Sequence, residues 1–244
     1  MRFYSRLPHA ANERKGISRS AAGSPSSVNV TRLVNSRANY GTLQDRIGRM
    51  PSAARRYFHF CGHGVLHESD PDRSGIVVGK KSGETSGELI TGKRLANILH
   101  PTGSESPHFQ LAFLNCCEVA AIPQDSATRR SFYRNVISAL LERPVGKHII
   151  CHRYEVGDCL ARHFAKCFYS HYFEGGMEIH EAFHQAQVNA YDGEFHVKGI
   201  GRKSLHQLCD KKCDLASCDG DVGGNDKTTC LAPVLIVFDN LSKI

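Results

Sequence analysis

Apolar positions along the chain fall into short runs separated by polar and glycine-rich stretches, with the spacing switching between two kinds of element. FQLAFLN (109–115) is almost continuously apolar, as expected of a strand covered on both faces in a parallel sheet. KHIIC (147–151) and APVLIVFDN (232–240) repeat that signature, and RRYFHF (55–60) is an aromatic strand that stops at Cys61-Gly62. VNVTRLV (28–34) reads as a further strand, and SGIVVGKKSGETSGELIT (74–91) as a hairpin about a Gly/Ser/Lys turn.

Between these runs the spacing becomes helical. Leu43 and Ile47 mark a helix in 40–50, and Leu95 and Leu99 one that starts at Thr91 or Gly92 and ends at His100-Pro101. SFYRNVISALLE (131–142) is amphipathic. Leu160, Phe164 and Phe168 form a stripe along 157–173 that Glu174-Gly175-Gly176 closes, and Ile179, Phe183 and Ala186 form the next. Strands alternating with helices predict one α/β domain over residues 28–244 with a mostly parallel central sheet flanked by helices. Residues 1–27 show no apolar period and carry a single acid, Glu13, among arginines and serines, so they read as a disordered basic tail.

Composition narrows the classes. The 244 residues are 41% hydrophobic and 23% charged, with a net charge of +7 that is spread along the chain. No basic block is interleaved with aromatics, which leaves nucleic-acid binding without support. No apolar run is long enough to cross a bilayer, and the first thirty residues lack the apolar core of a secretory signal. The expectation is a cytoplasmic protein with no membrane partner, organelle targeting by the Arg/Ser-rich start being the alternative. Its ten cysteines then read as reduced thiols.

The chemistry concentrates at two strand ends. Ligands of parallel α/β sheets bind beyond the carboxyl ends of the strands. His63, within Cys61-Gly62-His63-Gly64, follows the strand at 55–60, and Asn115-Cys116-Cys117-Glu118 closes the strand at 109–115. An imidazole near a thiol is the minimum apparatus for a thiolate nucleophile. Gly62 and Gly64 allow close backbone approach, and the Gly64 amide is placed to face an oxyanion. His63 precedes Cys117 by 54 positions, against about 50 in caspases.

YFHFCGHGVL, SGIVV, GELITGKRLANIL and FQLAFLNCCEVA, in that order, strongly resemble the CHAT domain, a caspase-like peptidase module related to separases. The resemblance continues through KHIICHRYEVGDCLARHFAKCFYSHYFEGG and IHEAFHQAQ, covering about residues 28 to 240. It implies a caspase-like three-layer sandwich and a cysteine endopeptidase in which His63 is the general base and Cys117 the nucleophile. Cys116 takes the small-residue position usually held by alanine. It further implies a polypeptide substrate and no cofactor; a fragment of a longer protein, a stand-alone peptidase and a peptidase regulated by a protein partner are the open alternatives. Two features depart from the family pattern. A position commonly tryptophan falls in His152-Arg153-Tyr154, and the cysteine-rich stretch at 209–230 is an insertion. A catalytically silent interaction module on the same fold is the alternative function.

The remaining motifs carry weaker expectations. His59 and His67 read as bystanders of His63, one packing in the strand and the other exposed in a loop; metal ligation would need all three on one helical face. Cys116, Cys151, Cys159 and Cys167 read as small buried hydrophobes, with Cys116 alternatively a resolving thiol for Cys117. Glu155 and Asp158, after the strand at 147–151, are candidate partners for a basic P1 side chain. Asp158 is alternatively a helix N-cap and Glu155 a solvated charge. Cys209, Cys213, Cys218 and Cys230, spaced C-x3-C-x4-C-x11-C, form either an irregular loop or a zinc site.

Overall fold

The structure, a computed structural model, describes residues 10–34, 37–51, 55–67, 70–79, 87–101, 108–116, 136–143, 145–152, 156, 158–191, 194–197, 201–204 and 233–237. It is an α/β protein whose chain divides into two compact units, one of residues 1–4, 32–154 and 234–244, the other of residues 5–31 and 155–233.

In the first unit a four-stranded sheet runs in the order β1 (Tyr57–Cys61), β5 (Phe109–Asn115), β6 (Gly146–His152) and β9 (Pro233–Val237). β1, β5 and β6 are parallel, with Phe58 opposite Ala112 and Ala112 opposite Ile149. Alternation along the strands assigns the faces. Phe58, Ala112, Leu114, Ile149 and Cys151 point into an apolar core shared with Ile47 of α2 (Tyr40–Gly48), Leu95 and Leu99 of α3 (Gly92–Leu99), and Val136 and Leu140 of α4 (Val136–Leu141). The opposite face of β5 carries Leu111, Phe113 and Asn115, which are also buried. Burial of both faces is why this strand has no polar alternation until its end.

A second, three-stranded sheet orders β2 (His63–Val65), β3 (Gly75–Val78) and β4 (Glu88–Thr91), all antiparallel. Its Ile76, Val78 and Ile90 join the same apolar core. Gly75 is required by close packing: a Cβ there would overlap the Ile90 carbonyl on β4. Gly75→Ala is therefore expected to lower stability by roughly 1–3 kcal/mol, read as a reduced midpoint in urea. An unchanged midpoint would mean that β3 and β4 part without cost.

The second unit holds α1 (Ala10–Ala22), α5 (Asp158–Tyr169), α6 (Ile179–Tyr191) and a small antiparallel pair, β7 (Glu194–Val197) and β8 (Gly201–Ser204). α5 runs on into a π-helical turn at Ser170–Glu174 that ends at Gly175, and Gly176 takes a positive φ of 65°. Phe164 meets Phe183 edge-on at 5.8 Å, joining α5 to α6.

Two expectations are corrected here. Residues 10–22, read as part of a disordered tail, form α1, which packs on α5. Its Ala, Arg, Lys and Glu residues are strong helix formers, and its buried positions are Glu13, Ser20 and Ala21, so no apolar stripe announced it. Gly16 faces the Lys166 stem, which would be in ordinary contact with a Cβ there at 3.6 Å. Residues 28–34 are not a strand; Val30 and Val34 are exposed there. His63, read only as following the strand at 55–60, opens a strand of its own, β2. The insertion at 209–230 lies outside the described residues.

Candidate active site

The site grows from the end of β1. Its last residue, Cys61, pairs with Asn115, the last residue of β5, so the two carboxyl ends sit side by side. Gly62 then turns the chain; a side chain there would run into the Phe60 ring. His63 follows as the first residue of β2, half-buried and opposite Val77, with Gly64 opposite Ile76. Pairing with β3 holds the imidazole-bearing backbone in a defined register two residues from the sheet end.

The other two histidines of the segment have separate tasks. His59 meets the Phe113 ring edge-on at 4.9 Å on the face of the sheet opposite the apolar core. His67 is half-buried, not exposed: its Nδ1 accepts the Asp70 N–H at 3.1 Å, and its own N–H donates to Ser74 Oγ at 3.0 Å. It fastens the 3₁₀ turn at Pro71–Arg73. Among the described residues no three His, Cys, Asp or Glu side chains are grouped to hold a metal ion.

Beyond β5 the first residue, Cys116, is 2% exposed and belongs to the apolar core with Leu114. Cys117 and Glu155 lie outside the described residues; Asp158 opens α5, where a carboxylate is favoured by the helix dipole. Cys151 is fully buried, and desolvation pushes its thiol up to about 12. Burial likewise raises Cys167, whose Sγ accepts Asn189 Nδ2 at 2.9 Å. Buried thiols held neutral are poor nucleophiles, so Cys151 and Cys167 are core residues; Cys116 is one by its packing. Cys159 has no described side chain.

Sequence reasoning missed a polar pair beside the site. β6 extends one residue past Cys151, and the His152 ring Nε2 lies 2.7 Å from Asn115 Oδ1, with both residues buried. The signal was present only as a polar residue closing each of two apolar strands; their adjacency needs the register that sets Leu114 opposite Cys151.

The sequence model of the CHAT domain matches residues 1–206. The chain belongs to the CHAT domain family. No curated protein matches it. The match spans α1 through β8, so the N-terminal helix falls inside the CHAT region instead of preceding it. Within the matched range, Gly62 precedes β2, His63 and Gly64 open it, and Leu114-Asn115-Cys116-Cys117 begins at the end of β5. No helix among the described residues is long and apolar enough to cross a membrane.

Proposed function

We propose that this CHAT domain is a cysteine endopeptidase on a caspase-like three-layer sandwich, with His63 and Cys117 as its working pair. The observation that carries the reading is the pairing of Cys61 with Asn115. It brings the ends of β1 and β5 together, and His63 and Cys117 each lie two residues beyond those paired positions. Placement of Cys116 in the apolar core supports Cys117 as the reactive thiol, because a thiol packed in the core is withdrawn from substrate.

In this reading His63 takes the Cys117 proton, and the thiolate attacks the scissile carbonyl carbon. The oxyanion that forms is held by the Gly64 amide. As the C–N bond breaks, His63 returns the proton to the leaving amine, leaving a thioester. Water, deprotonated by His63, then attacks the thioester, releasing the acid and regenerating the thiol. No cofactor enters. The substrate is a polypeptide, with Glu155 and Asp158 proposed to receive an Arg or Lys side chain at P1.

The test is alkylation by a peptide acyloxymethyl ketone with arginine at P1, mapped by mass spectrometry, with iodoacetamide as a probe indifferent to P1. Label on residue 117 that vanishes in Cys117→Ala and persists in Cys116→Ala is the expected result. If iodoacetamide finds Cys117 no more reactive than the other thiols, and the peptide probe leaves it untouched, the domain is a silent interaction module.

A further inference from the structure

The carboxyl edge of the sheet carries a polar row that the proposed chemistry does not use. Cys61, Asn115 and His152 close β1, β5 and β6. The registers place them across from one another: Cys61 opposite Asn115, and Asn115 one step beyond the Leu114–Cys151 pair. Asn115 is 3% exposed and His152 2% exposed, yet both bear polar groups, joined by the 2.7 Å contact. Below them on the same face Phe113 and Ile150 are fully buried, with His59 against the Phe113 ring.

Stability alone does not account for such a pair. Burying an amide and an imidazole forfeits their hydration, and one hydrogen bond between them returns little net. Two apolar side chains of similar shape would hold the strands as well. What the pair adds is direction: a hydrogen bond fixes the rotamer of each partner, whereas apolar contacts tolerate slippage. Its position is also specific. Asn115 is the last residue of β5, and Cys116 immediately after it is anchored in the core. The strand end is thus gripped on one face by a hydrogen bond and on the other by packing, directly before residue 117.

We infer that Asn115 and His152 are positioning residues, which hold the end of β5 in the geometry that the peptidase step needs. The inference rests on the peptidase reading above. With Nε2 assigned as the protonated ring nitrogen, His152 donates to Asn115 Oδ1 and leaves the Asn115 amide hydrogens for other neighbours. Burial lowers the His152 pKa to about 4, with His59 contributing, so the ring is neutral at physiological pH. A nucleophile displaced by about 1 Å loses on the order of 10²-fold in rate. A loosened grip on the strand end acts through that factor and leaves substrate affinity alone.

The experiment separates kinact from KI for alkylation by the arginine acyloxymethyl ketone in His152→Phe, His152→Gln, Asn115→Leu and the double variant Asn115→Leu/His152→Phe. Glutamine places an N–H donor near the former Nε2. The expected result is a fall in kinact of about 10- to 100-fold in both single apolar variants, with KI little changed and His152→Gln returning most of the loss. In the double variant kinact stays low, because neither partner of the hydrogen bond that fixes the strand end remains. Recovery of kinact together with stability in the double variant, or a kinact in His152→Gln no better than in His152→Phe, overturns the positioning role. Wild-type protein unlabelled at Cys117 overturns the peptidase reading and this inference with it. Label at Cys117 with kinact unaffected in every variant overturns this inference alone.

Discussion

Replacing His63 by alanine is expected to lower peptide hydrolysis at least about 10³-fold while the fold stays intact. In the proposed mechanism the imidazole is the base that forms the Cys117 thiolate and the proton donor to the leaving amine, and alanine supplies neither. The backbone has little reason to move. His63 is half-buried at the start of β2, and its place in the ladder comes from main-chain pairing opposite Val77, which alanine preserves. The neighbouring histidines provide the contrast. His59→Ala removes a ring from the Phe113 edge contact and is expected to lower thermal stability. His67→Ala releases the Asp70 amide and loosens the turn that follows β2. Of the three, only the His63 variant should combine a wild-type melting curve with loss of kcat. These quantities are read from a fluorogenic peptide assay and circular dichroism. A His63→Ala protein with near wild-type kcat would remove His63 from the mechanism.

The contrast among these histidines follows what the sequence could and could not reveal. β5 was legible because burial of both faces leaves a run broken before its end only by Gln110, and β6 from its buried Ile149-Ile150-Cys151. α3 was legible from Leu95 and Leu99, with the helix stopping at His100-Pro101 as the proline requires. β2 was not: three residues, two of them His and Gly, offer no alternation, and its pairing with β3 depends on a partner ten or more residues away. β7 and β8 escaped for a related reason, since GRKS has low strand propensity and is strand only through pairing with EFHV. α1 was hidden by its polar buried face. At the site, the Gly-His-Gly segment marked His63 because glycines flanking a histidine at a strand end are a local signal. Asn115 and His152 are far apart in sequence, and only the β5–β6 register makes them neighbours.

Lowering the pH from about 7.5 to about 4.5 is expected to remove roughly 2–3 kcal/mol of stability through His152 alone. In the unfolded chain the ring titrates near its ordinary 6.5, whereas in the folded protein burial first, and the nearby His59 second, depress it to about 4. Between those values the unfolded state binds a proton that the folded state refuses, so acid favours unfolding. The contribution is fully present above about pH 6.5, declines as pH falls and levels off below about pH 4. Among the groups beside the ring, Asn115 on β5 is neutral, and His59 on β1 disfavours a positive charge on His152. Urea unfolding of wild type and His152→Phe at both pH values isolates the effect. Contributions that do not depend on His152 are common to both proteins and cancel in the difference. The wild type should lose more stability than the variant by the stated amount; equal losses would mean that the folded protein hydrates or protonates His152. The hydrogen bond itself is not what acid removes, because an imidazolium still donates through Nε2. What fails is the burial of a charge beside Asn115, so the edge of the sheet next to the proposed thiol is where acid unfolding should begin.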